Sequence, residues 1–224
     1  RQAKLAELLS DDGHTVHTYA LEQSPEPVPA LMEVSLEDAV LADCVILPLP
    51  AAGEEGRLNT PLSGRVTTLE DVMDALRPGQ VVCAGKVTPE LVALAEKYDL
   101  RLYDYFAREE LAVANAVPTA EGAVQLAMEE LPITLHRAKV LVLGFGRLGK
   151  LAAQRFAALG AKVTVAARKW SDLAWAEAYG YGTERIDRLE GWLCAYDLVV
   201  NTVPSRVLDS NCLADLRSGC LVIA

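Results

Sequence analysis

KVLVLGFGRLGKLAAQRFAALGAKVTVAARK, residues 139–169, decides the fold of the second half of this chain. The apolar run at 140–143 reads as a buried strand, and Gly144, Gly146 and Gly149 follow it as G-x-G-x-x-G. A helix of amphipathic spacing then runs to about Leu159, Gly160 closes it, and residues 162–166 read as a second strand. Each glycine answers a separate need: a tight turn at Gly144, close approach of backbone to a pyrophosphate at Gly146, and close packing of helix on strand at Gly149. Backbone N–H groups of Arg147 and Leu148 at the helix start face the phosphates. A G-x-G-x-x-G with the strand before it, the helix after it and a second strand at the proper distance indicates a dinucleotide site, which three glycines alone do not.

The end of the second strand selects the nucleotide. An NAD site usually offers an acid there to the ribose hydroxyls, whereas a nearby arginine suits the phosphate of NADP. This chain offers Ala167, Arg168, Lys169 and Ser171, with no acid before Asp172. Arg168 can make a two-pronged phosphate contact and Lys169 adds charge, so the sequence favours NADP. Further on, YDLVVNTVPS at 196–205 reads as a buried strand ending in Asn201, Thr202, Val203 and Pro204. The loop formed by these four is expected to face the nicotinamide. Trp192 and Cys194 are expected to pack locally, and so are Trp170 and Trp175.

Outward from this unit, the first half repeats a strand–helix rhythm. Residues 2–9 read as a helix, HTVHTYA as a strand, 23–29 as a proline-bearing loop, SLEDAV as a short helix, and DCVILPLP as a buried strand. TLEDVMDAL is a helix that Thr68 and Asp71 can cap; QVVCAG is a strand, TPELVALAEKY a helix with Pro89 just inside its start, and LRLYDY a last strand. The pattern changes from Ala112, where Asn115 and Pro118 interrupt it, and a helix is expected to open at Pro118 or Thr119 and carry the chain onward. The expected architecture is α/β, with two Rossmann-like parallel-sheet domains joined by an interdomain helix: 1–115 on the substrate side and 116–224 binding NADP.

A net charge of −10 disfavours an electrostatic grip on nucleic acid or an anionic membrane. The five cysteines, at 44, 83, 194, 212 and 220, have no metal-ligand spacing, and Cys44 and Cys83 read as buried thiols. Three dispersed histidines suggest no metal site. No apolar run is long enough to span a bilayer, and a cytoplasmic protein fits these features. Both ends read as cut, with a helix where a strand and loop are expected and a final strand at 221–224 that lacks its following loop.

A nicotinamide requires a substrate held within hydride reach and a group to move a proton. The expected place is a cleft between the domains, near the glycine-bearing loop at 51–64. Arg57 could hold a substrate carboxylate, Asn115 and Thr119 could orient it, and Glu121 is the candidate for proton transfer. The plainer reading of Glu121 is an acid in a helix's first turn that complements the dipole.

The order of REELAVANAVPTAEGAVQLAM, the glycine unit and DLVVNTVP, together with RQAKLAELL and ILPLPAAGEEG, resembles the dipicolinate synthase A-subunit family of spore-forming bacteria. The likeness runs through nearly the whole chain. It implies a two-domain enzyme laid out like the 2-hydroxyacid dehydrogenases, which forms dipicolinate from dihydrodipicolinate with NADP+ as hydride acceptor, beside a flavoprotein-like B-subunit. By resemblance Gly144, Gly146 and Gly149 are the dinucleotide glycines, Arg168 and Ser171 lie on the phosphate side, and Asn201 to Pro204 form the nicotinamide loop. A homo-oligomer is also expected. The family ordinarily has a strand and a GGD turn before the residue matching Arg1, and a proline- and glycine-rich segment after Ala224.

Two other readings stay open on the residues themselves. One is a hydroxyacid- or shikimate-type dehydrogenase, although no histidine lies in or after the glycine unit to serve the hydroxyacid chemistry. The other is a nucleotide-sensing regulatory protein without turnover of its own.

Overall fold

The computed structural model describes residues 1–25 and 32–224, which divide into two compact units, Arg1–Leu111 and Ala112–Ala224. The first contains α1 (Gln2–Asp11), β1 (His17–Thr18), β2 (Met32–Glu33), α2 (Leu36–Ala39), β3 (Cys44–Ile46), α3 (Leu69–Asp74), β4 (Val81–Ala84), α4 (Pro89–Lys97) and β5 (Arg101–Asp104). β1 and β2 form a parallel pair, and β3, β4 and β5 a parallel sheet in that order. Of the loop expected at 23–29, residues 26–29 lie outside the described ones.

Local chemistry sets the helix starts. The Thr68 and Asp71 side chains each accept a hydrogen bond from the other's backbone N–H, the reciprocal cap that the sequence suggests for α3. Thr88 caps α4, and Pro89 occupies its first turn, where a missing N–H costs nothing. Leu69, Val72 and Met73 of α3 and Leu91 of α4 pack with Val82 and Ala84 of β4 in one apolar cluster.

β3 differs from the expected buried strand. Val45 is half-buried, while Cys44 and Ile46, on the opposite face, are exposed. The pleat explains this: alternate residues face opposite sides, and the apolar cluster holds Val45, Val82 and Leu102 from one side of the sheet. Cys44 and Cys83 are therefore exposed and half-buried rather than enclosed. Their sulfurs lie 3.9 Å apart, and partial burial of the sulfur, then the neighbouring Cys83, push the Cys44 thiol up to about 11. It is thus a protonated thiol at neutral pH, not an activated nucleophile.

α5 (Glu109–Glu130) carries the chain into the second unit, followed by β6 (Lys139–Leu143), α6 (Arg147–Ala158), β7 (Lys162–Ala167), α7 (Trp170–Ala178), β8 (Gly182–Arg185), β9 (Leu198–Asn201), α8 (Ser210–Ala214) and β10 (Leu221–Ile223). These strands form one parallel sheet in the order β10-β9-β6-β7-β8. The chain runs outward from β6 in one direction through β7 and β8, then returns to β6's other side for β9 and β10. That reversal is the switch point at whose carboxyl edge such sheets bind ligands. Val140, Val142, Phe156, Val165 and Leu198 make one buried cluster, and Leu141, Leu143, Leu193 and Val199 another, so the central strands are covered on both faces.

α5 corrects the helix boundary expected at Pro118 or Thr119. It begins nine or more residues earlier and runs through Pro118. Proline there removes one backbone donor. The cost is offset by a buried stripe, Ala112, Ala116, Ala120, Ala123 and Ala127, whose three- and four-residue spacing is helical throughout. The ring itself sits on the exposed side.

Asp197 anchors the amino-terminal edge of the sheet. Its carboxylate accepts from the Lys139 backbone N–H at 2.6 Å and pairs with Arg217 at 2.6 Å, while its carbonyl accepts from the Leu221 N–H at 3.1 Å. One residue thereby ties β6, β9 and β10. Asp197→Ala is expected to lower unfolding free energy by about 2–3 kcal/mol, since it strands a part-buried N–H and a guanidinium together. Urea denaturation measures this, and a loss under about 1 kcal/mol would mark the pair as solvent-screened.

Candidate functional site

The glycine loop joins β6 to α6. Gly144 has φ +90°, and its N–H donates to the Ala166 carbonyl of β7 at 2.8 Å, so the turn is tied to the neighbouring strand. A Cβ on Gly149 would collide with the Gly144 carbonyl oxygen and lie 2.9 Å from its carbon, so helix and loop touch only because this residue is glycine. Gly146 differs from both. Its φ is −77°, within reach of any residue, and a Cβ there would meet no atom within 4 Å. Among the described residues nothing requires glycine at 146, and the loop is left with open space in front of it, the kind of cradle into which a pyrophosphate fits. Gly146 is also the N-cap of α6 and offers no side-chain cap to the helix's first N–H groups, those of Arg147 and Leu148 among them.

Asn201 to Pro204 lie beside this loop. Thr202 donates from both its N–H, at 3.0 Å, and its hydroxyl, at 2.7 Å, to the Leu143 carbonyl. The Asn201 Oδ1 accepts from the Val203 N–H at 3.1 Å, forming a local turn. A Cβ built on Gly144 would meet Thr202 Oγ1 at 2.8 Å and Val203 Cγ2 at 2.9 Å. The two loops are therefore packed as one wall at the carboxyl edge of β6 and β9.

The end of β7 supplies the other side. Arg168, Lys169, Trp170 and Ser171 are all exposed, and Lys169 is the N-cap of α7. Among the described residues, neither the Arg168 nor the Lys169 side chain has a hydrogen bond or ion pair. Leu143 pairs with Ala166, so Arg168 and the glycine loop leave the same edge of adjacent strands. Trp170, at 73%, and Trp175 are exposed rather than packed away, although Trp175 stacks on Tyr179 at 5.8 Å and Trp170 lies under Arg185. Trp192 and Cys194 are exposed too, against expectation, because the turn they occupy directs Leu193 inward instead.

Arg185 and Asp187 escape a reading of the sequence. Arg185 ends β8 opposite Ala167, and its guanidinium is shared between Asp187 and the Arg168 carbonyl. GTER has little β-branched or aromatic content, and an edge strand of this kind is legible only once its neighbour is known.

The substrate-side candidates are placed less tellingly. Arg57 is exposed and pairs with Glu55 at 3.2 Å, and antiparallel bridges at Ala52↔Leu58 and Arg57↔Thr68 brace its loop. In α5 the Thr119 hydroxyl donates to the Asn115 carbonyl at 2.9 Å. Glu121 lies inside α5, not in its first turn, so the helix-dipole argument for it does not apply. Its carboxylate faces Arg155 of α6 at 3.5 Å, in a groove lined by Val124, Met128 and Leu159. Arg155 stands about 12 Å along α6 from the residue that opens it at the glycine loop. Among the described residues, no three His, Cys, Asp or Glu side chains cluster to hold a metal, and no helix is long and apolar enough to cross a membrane.

Comparison with known proteins matches this division. Residues 1–106 match the N-terminal domain of the dipicolinate synthase A-subunit, and residues 107–223 the NAD-binding domain of D-isomer specific 2-hydroxyacid dehydrogenases. The dipicolinate synthase A-subunit of Bacillus subtilis (strain 168) is 28% identical over 226 residues, covering 100% of this chain and 76% of that protein. The crystal structure of the dipicolinate synthase A-subunit from Bacillus halodurans superposes with TM-score 0.87 at 29% identity, covering 98% of this chain and 77% of that one. The crystal structure of the Bacillus subtilis protein superposes with TM-score 0.79 at 28% identity, over 99% and 76% respectively. The chain therefore carries an NAD-binding domain of the 2-hydroxyacid dehydrogenase type behind an N-terminal α/β domain that matches that of the dipicolinate synthase A-subunit, and along its whole length it is similar to the dipicolinate synthase A-subunits.

Proposed function

We propose that this chain is an NADP-dependent oxidoreductase that forms dipicolinate from dihydrodipicolinate or its hydrated precursor, in the mother cell of a sporulating bacterium. The observation that carries this reading is the open cradle at Gly146 beside an exposed Arg168–Lys169 pair just past the end of the next strand. A pyrophosphate suits the first and a ribose phosphate the second. Similarity to the dipicolinate synthase A-subunits supports the substrate, and the naming of these relatives as A-subunits supports a second component, taken here as a flavoprotein-like B-subunit. Association of copies of this chain as a homo-oligomer belongs to the same reading.

When bound, NADP+ supplies a two-electron acceptor. Dihydrodipicolinate gives up a hydride and a proton and gains aromaticity, so the protein has chiefly to align the ring and receive the proton. Two substrate carboxylates call for a cation and hydrogen-bond donors, for which Arg57, Asn115 and Thr119 are proposed. Gly144, Gly146, Arg147, Leu148 and Gly149 would bind the pyrophosphate; Arg168, Lys169 and Ser171 the ribose phosphate; and Asn201, Thr202, Val203 and Pro204 would border the nicotinamide. The pairing of Glu121 with Arg155 favours a role in holding α5 to α6 over proton transfer.

The test is NADPH formation from dihydrodipicolinate, with and without the B-subunit, after calorimetric titration of the chain with NADP+ and NAD+. NADP+ should bind at least about tenfold tighter, the worth of one good charge-assisted contact. Glu121→Gln should keep kcat within about tenfold, whereas a loss of about 100-fold or more would restore it as the proton-transfer group. NADP+ binding with no turnover, even beside the B-subunit, would favour the nucleotide-sensing reading. Binding of neither nucleotide would sink the dehydrogenase.

A further inference from the structure

Arg185 is held more tightly than any other cation near the end of β7. It stands across the sheet from Ala167, the last residue of that strand. Its Nη1 donates to the Arg168 carbonyl at 2.6 Å, its Nε and Nη2 donate to Asp187 Oδ1 and Oδ2 at 3.0 and 2.7 Å, and its Cζ lies 4.9 Å from the centre of the Trp170 ring. The side chain is only 24% exposed, although Asp187 is 56% exposed. Three of the five guanidinium N–H groups are thus committed and one face is stacked.

The contact with Arg168 has a geometric consequence. A carbonyl held at 168 sets the plane of the peptide between Arg168 and Lys169, and with it the directions in which both side chains leave the backbone. Both of these cations are without partners among the described residues. Trp170, the next residue, is braced by the same guanidinium. An exposed pair of residues two apart would ordinarily be worth little to stability. Here it fixes a turn that carries uncommitted charge, and fixed donors bind a phosphate better than mobile ones.

We propose that Arg185, locked by Asp187, is the positioning residue for cofactor discrimination: it aims Arg168 and Lys169 at the ribose phosphate of NADP without binding that phosphate itself. The proposal rests on the NADP reading above. Arg185→Lys keeps the charge but cannot make the fork to Asp187, and Asp187→Asn keeps a similar shape at the exposed rim while removing the fork's other half.

The measurement is calorimetric affinity for NADP+ and NAD+ on the wild-type chain, these two variants and Arg168→Ala, with thermal melts in parallel. Both Arg185→Lys and Asp187→Asn should reduce the NADP+ preference by about tenfold, roughly one oriented hydrogen bond, with NAD+ affinity and melting temperature little changed. Wild-type preference in both variants, with preference lost in Arg168→Ala, would overturn the role of Arg185 and leave the NADP reading standing. A tighter NADP+ complex in Asp187→Asn would overturn positioning in favour of direct phosphate binding by Arg185. No preference in the wild type would overturn both readings together.

Discussion

Gly146→Ala and Gly149→Ala should both lose NADP+ binding while differing in stability, and the contrast separates a ligand's steric demand from the protein's own. A methyl at 146 meets no protein atom within 4 Å and the backbone there already lies in a region open to alanine. Stability should therefore change by less than about 0.5 kcal/mol, while affinity falls by more than about tenfold as the methyl enters the space for the pyrophosphate. A methyl at 149 collides with backbone at Gly144, and backbone cannot swing aside as a flexible side chain does. Either α6 lifts from β6 or the turn at Gly144 opens, and Phe156, Ala152 and Ala153 of α6 lose packing with it. The expected loss is about 2–4 kcal/mol, within the range for forced overpacking and backbone strain. Urea denaturation and titration of the same samples read both quantities. Unchanged NADP+ affinity in Gly146→Ala would mean that the cradle does not hold the pyrophosphate.

Arg168→Ala should remove the distinction between the two nucleotides. Its side chain is exposed and engaged with no described residue, so its loss disturbs no packing and leaves the fold's stability essentially intact. The phosphate it would face carries close to two charges, and a charge-assisted pair of that kind contributes about 1.5–3 kcal/mol, or about ten- to a hundredfold in affinity. NAD+ lacks that phosphate and should bind the variant as it binds the wild type. Salt dependence adds a second reading, because the NADP+ affinity of the wild type should fall more steeply with ionic strength than that of the variant. An equal fall for both nucleotides would place Arg168 on the pyrophosphate or outside the site. Unaltered NADP+ affinity would transfer the phosphate to Lys169 or Ser171.

The glycine unit was legible in residue order because each of its parts is local. Strand, turn, helix and return strand follow one another within residues 139–169, and the bounds expected for β6, α6 and β7 agree with the observed ones to within a residue or two. Capping was legible for the same reason: Thr68 and Asp71 act across three residues, and Pro89 marks the first turn of its own helix. Burial was not. Cys44 lies in an apolar run, but whether its face of the sheet is covered depends on elements distant in sequence. Pro118 misled in the same way, since a proline reads as an interruption until the alanine stripe on the other side of the helix is seen to be buried.

By itself, then, the sequence determined the dinucleotide unit, the α/β class and the cation pair at 168 and 169, because those rest on short-range spacing and backbone sterics. Only the tertiary structure decided that α5 runs unbroken past Pro118, that Glu121 faces Arg155, and that Arg185 reaches across from β8 to hold the carbonyl of Arg168. Each of these depends on which strand or helix becomes a neighbour. Pairing of β7 with β8 brings residues 17 apart in sequence within hydrogen-bond distance, and no local propensity encodes that meeting.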